Sequence, residues 1–155
     1  MHKTEPLIAW PGQGHKIATN GIEIILKAQA RQTNGHWSMI EYLLPALLPG
    51  PPPHYHKKTQ EMFYVLDGML QFVMDEKVID APAGTLVVVP EGIVHTFKNI
   101  SNDYARFQVW FSPGGMEQYF IGVQELIENE AVWPPSDMGK LVSLMAQHDT
   151  YLPGQ

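Results

Sequence analysis

The chain has 155 residues, of which 45% are hydrophobic and only 17% charged, a composition typical of one folded domain and not of a disordered chain. It contains no cysteine, which excludes thiolate catalysis, iron–sulfur clusters and a disulfide scaffold. The formal net charge is -6, and Arg31 and Arg106 are the two arginines. We therefore expect no nucleic-acid or anionic membrane surface, and a small molecule as the partner.

The expected location is the cytoplasm. The first residues lack the uninterrupted apolar run of a signal peptide. A membrane-spanning helix needs about 20 consecutive apolar residues, and no apolar run of the sequence approaches that length. We predict a cytoplasmic protein that forms one domain over residues 1–155.

Short runs rich in Val, Ile, Phe and Tyr, separated by Gly, Pro, Asn and Asp, fill the sequence from about 14 to 112. This pattern predicts an all-β sandwich or barrel. The predicted strands are 15–19, 22–29, 36–44, 53–57, 61–67, 69–75, 77–81, 85–89, 94–99 and 103–111. Asp67-Gly68 lies between two of them and predicts a hairpin, since the tight turn needs the positive φ that Gly adopts easily.

The period of the apolar residues changes after Pro113, and a helical segment is predicted over about 113–155. Two sets recur at helical spacing: Met116, Phe120, Val123 and Ile127, then Met138, Leu141, Val142 and Met145. They predict two amphipathic helices, the first starting at Ser112-Pro113 and the second capped by Ser136. We expect their apolar faces to pack outside the barrel or in a dimer interface; a lid over a pocket is the alternative.

The sequence around His54 carries the first candidate for chemistry. Residues i and i+2 of a strand point to the same side, so His54 and His56 can present two imidazoles together while Tyr55 points away. Glu61 opens the next predicted strand and can return a carboxylate to the same cavity. His95, at the start of the strand after the Pro90-Glu91-Gly92 turn, can add a third imidazole.

Imidazole and carboxylate ligands together suit one divalent transition metal, namely Fe, Mn, Ni, Co, Cu or Zn. Strand parity also places Phe63 and Val65 on the side of Glu61, and Phe97 on the side of His95. We therefore predict an apolar, aromatic substrate wall beside the metal.

The two segments resemble the two motifs of the cupin superfamily. The first reads H-x-H-x4-E-x6-G at His54, His56, Glu61 and Gly68, and the second reads G-x5-P-x-G-x2-H-x3-N at Gly84, Pro90, Gly92, His95 and Asn99. Gly50 departs from the pattern by lying closer to the histidine pair. The resemblance implies a double-stranded β-helix (jelly-roll) barrel over about 14–112, with His54, His56, Glu61 and His95 as metal ligands and a homodimer as the assembly.

The exit from the barrel, SPGGMEQYF at 112–120, looks like that of small single-domain, quercetinase-like cupins. This implies an oxidoreductase of the metal-dependent dioxygenase kind, in which Glu61 tunes the metal or relays a proton. A metal-dependent isomerase or sugar-processing cupin is the alternative, although two arginines are few for a phosphosugar site. A non-catalytic small-molecule binding module is the third possibility.

Overall fold

The computed structural model describes residues 5–130 and 134–154. Residues 1–4, 131–133 and 155 of the predicted domain lie outside the described residues. Within the described ranges nine β-strands precede two α-helices. The strands are β1 (His15–Thr19), β2 (Ile22–Ala28), β3 (Ser38–Leu44), β4 (Gln60–Asp67), β5 (Met69–Met74), β6 (Lys77–Pro82), β7 (Leu86–Val89), β8 (His95–Asn99) and β9 (Ala105–Ser112). The helices are α1 (Glu117–Asn129) and α2 (Met138–Gln147).

The strands form two antiparallel sheets, one with the order β1-β2-β3-β9-β4-β7 and one with the order β6-β5-β8. Aromatic rings from both sheets meet in the core, because Phe63 of β4 contacts Phe72 of β5 and Phe97 of β8 at ring-centroid distances of 5.0 and 5.5 Å. Phe107 of β9 lies 5.3 Å from Phe97. The predicted all-β fold with C-terminal helices is confirmed, as a β-sandwich.

The predicted hairpin at Asp67-Gly68 is wrong. β4 pairs with β7 and β9, whereas β5 pairs with β6 and β8. Gly68 has φ +79°, and a Cβ there would lie 2.9 Å from the Ala105 Cα and the Tyr104 carbonyl oxygen. The glycine is required as expected, but for a crossing from one sheet to the other. The dipeptide sets the local backbone conformation, while side-chain burial selects the strand partners.

Residues 53–57 do not form the predicted strand. His54 makes a single antiparallel bridge with His95, and Tyr55 makes one with Tyr151. The three prolines at 51–53 carry no N–H group and cannot extend a ladder. The alternation of sides nevertheless holds, because His54 and His56 are buried while Tyr55 is half-buried.

The helices begin later than predicted and have a different cap. α1 begins at Glu117, and α2 is capped by Asp137, whose side chain accepts the Gly139 N–H, and not by Ser136. Glu117 is 2% exposed and accepts hydrogen bonds from the backbone N–H groups of Ala30 and Gly115. This carboxylate ties the start of α1 to the segment between β2 and β3.

No helix within the described ranges is both long enough and apolar enough to cross a membrane.

Candidate metal centre

The structure brings together the four side chains that the sequence predicts as metal ligands. His54, His56, Glu61 and His95 each offer one ligand atom, and these atoms lie within 4.8 Å of one another. All four residues are buried. The bridge between His54 and His95 aligns two of the imidazoles, because each backbone N–H donates to the carbonyl of the other residue, at 3.0 and 2.8 Å.

Backbone carbonyl groups orient all three rings in the same way. Nδ1 of His54 lies 2.9 Å from the Pro52 oxygen, and Nδ1 of His95 lies 2.9 Å from the Ile93 oxygen. Nδ1 of His56 lies 2.8 Å from the Asp149 oxygen. A carbonyl accepts, so each Nδ1 carries the proton, and the Nε2 of a neutral ring keeps its lone pair for the centre of the cluster.

Glu61 completes the cluster with a carboxylate. Its Oε2 lies 3.1 Å from Nε2 of His56 and 2.8 Å from Nε2 of His95. Lone pairs and a negative charge thus converge on one point, which is favourable when a cation or a proton lies between them.

The pKa values reflect this convergence. Burial raises the pKa of Glu61, but hydrogen bonds that it accepts from the protonated, imidazolium forms of His56 and His95 outweigh burial and bring it to about 2. Burial lowers the pKa of His56, and the hydrogen bond and charge of Glu61 overcome that effect and raise it. Burial lowers the pKa of His54 to about 4, in spite of Glu61. His54 is therefore neutral at pH 7, the form that binds a metal.

A cavity of about 350 Å³ opens directly onto this cluster. The barrel supplies one part of its wall, including Ile40, Val109 and Phe111. The helices supply another part, and the residues that do so include Phe120, Val123, Met138, Leu141 and Met145. We expected these apolar faces to pack outside the barrel or in a dimer interface. The residues named here instead line the cavity, as in the alternative of a lid over a pocket.

Two of the three predicted substrate contacts line this cavity. Phe63 and Phe97 belong to its wall, whereas Val65 is fully buried in the core and is not among the lining residues. Strand parity gives the side of the sheet on which Val65 lies, but not how far the cavity extends along the strand. Among the described lining residues Glu61 is the one carboxylate, and none is a lysine or an arginine.

Asp149 is a site residue that sequence reasoning missed. Its carbonyl holds His56, while its carboxylate accepts hydrogen bonds from the N–H groups of Lys57 and Lys58 and from the Thr59 hydroxyl, at 2.9 to 3.0 Å. It follows α2 and has φ 53°. Nothing in its local sequence signals this role, because its partners lie about 90 residues earlier in the chain.

Asp149→Asn keeps the backbone carbonyl that orients His56 but weakens the side-chain hydrogen bonds to Lys57, Lys58 and Thr59 that position this carbonyl. We expect the variant to weaken binding of Zn²⁺ about 10-fold, the lower end of the 10- to 100-fold typical for loss of an interaction that supports a metal ligand. Asparagine tolerates the positive φ but replaces one accepting oxygen with an NH₂ donor. Competition with a chelating dye measures the dissociation constant. Asp75→Asn is the matched control, an exposed aspartate with φ 50° in the β5–β6 turn. Equal affinity of Asp149→Asn and wild type would contradict the role.

Fold and site together define a class of protein, an antiparallel β-sandwich with a buried three-histidine, one-carboxylate cluster that suits a metal. Residues 46–112 match the family model of the cupin domain. The match covers less than half of the chain, and over these residues the chain is similar to a cupin domain.

The chain is similar to one curated protein in sequence and to several solved structures in fold. Polyketide synthase CurC from Streptomyces cyaneus is 30% identical over 60 residues, which cover 39% of this chain and 39% of that protein. An RmlC-like cupin from Shewanella frigidimarina has a TM-score of 0.62 at 16% identity, covering 74% of this chain and 96% of its own. Pac13 from Streptomyces, a nucleoside dehydratase, has a TM-score of 0.58 at 14% identity, covering 74% and 88%. At such identities the structural likeness concerns the fold.

Proposed function

We propose that this protein is a metal-dependent enzyme of the dioxygenase kind that acts on a small, largely apolar or aromatic organic molecule. One observation carries the proposal: four convergent ligand groups lie at an apolar cavity of about 350 Å³. Neutral imidazoles with one carboxylate suit Fe, Mn, Ni, Co, Cu or Zn. When bound, such an ion supplies a Lewis acid and a template for two reactants.

The protein's own residues bind, shield and orient the substrate in this proposal. Phe63 and Phe97 form an aromatic wall, and the helices exclude water from the cluster. Glu61 has the catalytic role, because its Oε2 is held by two imidazoles while its Oε1 has no hydrogen-bond partner among the described residues. Oε1 is therefore available to accept a hydrogen bond from a substrate hydroxyl and so to orient it.

The alternative is a metal-dependent isomerase or sugar-processing cupin, and the cavity wall disfavours a phosphosugar as its substrate. A phosphate group needs cationic or N–H donors, and the part of the wall that the structure describes contains no lysine or arginine. A non-catalytic binding module would use the same cavity without turnover. A homodimer and a cytoplasmic location stay predictions from the sequence.

The reaction class is tested by measuring O₂ consumption of the Fe-, Mn- and Ni-loaded protein with flavonols, β-diketones and catechol-like acids. We expect uptake with at least one metal and substrate pair. The control is His95→Ala treated with the same metals, which should give only the background rate of the free ion. Rates at that background for wild type with every pair would contradict the dioxygenase proposal.

A further inference from the structure

Two tyrosines, Tyr42 of β3 and Tyr119 of α1, line the cavity that opens on the metal cluster. Tyr42 is held rigidly, because its ring stacks on Phe107 with centroids 4.9 Å apart and meets Phe97 edge-on at 6.0 Å. Tyr119 comes from the first turns of α1 and packs edge-on against Phe120 at 5.3 Å. The barrel and the helical segment thus each contribute one phenol to the same space.

Neither hydroxyl is used by the protein. A buried tyrosine hydroxyl normally finds a hydrogen-bond partner, yet within residues 5–130 and 134–154 neither of these two has one. Ser38 Oγ is the one described side-chain atom that is both shut off from solvent and unpaired. The two hydroxyls are therefore open to the cavity, where they are polar groups in a mostly apolar wall.

Both phenols remain donors at neutral pH. Burial raises the pKa of Tyr119 to about 12. Burial, followed by the neighbouring Tyr119 and the charge of Glu61, raises the pKa of Tyr42 further. Both tyrosines line the same cavity as His54, His56 and Glu61. Each neutral hydroxyl can donate a hydrogen bond to an oxygen atom that only accepts, such as a carbonyl or a phenolate.

We propose that Tyr42 and Tyr119 form a polar subsite that binds a carbonyl or phenolate oxygen of an aromatic ligand, and so select oxygen-bearing aromatics over hydrocarbons of the same shape. This inference rests on the proposed function, in which the ligand of the subsite is the substrate of the metal centre. One part of the substrate then binds the two tyrosines, and another part lies at the metal cluster. Such a site favours the oxygen-bearing ligand, because a hydrocarbon of the same shape excludes water and leaves both hydroxyls without a hydrogen-bond partner.

The test uses two probes of nearly equal shape, 2-acetylnaphthalene and 2-isopropenylnaphthalene, in which a CH₂ group replaces the carbonyl oxygen. Binding is measured by titration of the ¹⁵N-labelled protein, both metal-free and zinc-loaded. We expect wild type to prefer the ketone, and Tyr42→Phe and Tyr119→Phe each to lower the ketone affinity about fivefold while leaving the alkene affinity unchanged.

Tyr64→Phe is the matched control, because Tyr64 is 38% exposed on β4 and is not among the lining residues. Circular dichroism checks the fold of each variant. The two tyrosines are substituted separately, so that the subsite can still be tested with one variant if the other does not fold. A purely structural role would lower the affinity for both probes. An unchanged ketone preference in both variants, or a wild type that binds neither probe, would overturn the subsite.

The metal-free titration separates this inference from the proposed function. A wild type that takes up no zinc but keeps a tyrosine-dependent preference for the ketone would overturn the proposed enzyme and support the subsite. A metal-loaded protein that consumes O₂ with a substrate, yet shows no tyrosine-dependent preference for the ketone, would support the proposed enzyme and overturn the subsite.

Discussion

His56→Ala is expected to abolish stoichiometric binding of a divalent metal while the protein keeps its fold. The substitution removes one of the four converging ligand groups and leaves Glu61 with one imidazole partner. We expect the affinity for Zn²⁺ or Co²⁺ to fall by more than about 100-fold, beyond the 10- to 100-fold typical for the loss of a group that only orients a ligand. The aromatic core between the sheets does not contain this residue.

Elemental analysis after dialysis and chelator competition measure the metal, and far-ultraviolet circular dichroism measures the fold. His36→Ala is the matched control, because His36 is exposed and lies outside the cluster. It should bind one equivalent with wild-type affinity. Retention of one equivalent by His56→Ala at wild-type affinity would refute the ligand assignment.

Asn99→Asp is expected to destabilise the protein by about 3 kcal/mol, because it places a carboxylate among buried carbonyl groups. The Asn99 Nδ2 donates to the carbonyls of Leu44, Pro45 and Asp103 at 2.8 to 3.0 Å. Its Oδ1 accepts from the N–H and the hydroxyl of Ser101. Aspartate can keep the accepting interactions but loses every donated one.

Urea unfolding of the metal-free protein measures this loss, so that the metal centre does not contribute to the result. For a chain of this size the loss corresponds to a fall of roughly 6 to 12 °C in melting temperature. Asn102→Asp is the control, since Asn102 is exposed in the same loop, and it should change stability by less than about 0.5 kcal/mol. A similar stability of both variants would show that the amide network of Asn99 is not required.

The pairing of His54 with His56 could be predicted because it depends on short-range geometry. His54 and His56 lie on one side of the chain through two-residue alternation, and this holds even though their segment forms single bridges in place of a strand. Their approach to His95 requires a long-range contact, which the spacing alone does not define. The resemblance to the cupin motifs predicted this contact. The antiparallel bridge between His54 and His95 is its physical basis.

Apart from the predicted strand at 53–57, the strands and helices of the described residues were predictable to within a few residues, whereas the pairing of the strands was not. Asn20-Gly21 and Asp67-Gly68 are similar turn dipeptides, yet the first joins two paired strands and the second joins two sheets. The glycine has a positive φ in both cases. Which strand then pairs with which depends on the apolar surface that each pairing buries across the whole sandwich.

The sequence by itself determined the mostly β fold, the two amphipathic helices and the four candidate ligands, because alternation, helical period and motif spacing are local properties of the chain. Only the tertiary structure decided that the helices cover the cavity, that Asp149 orients His56, and that Tyr42 and Tyr119 share one space. Each of these joins residues far apart in the chain, and such contacts are selected by the total burial and hydrogen bonding of the folded molecule, which no local pattern encodes.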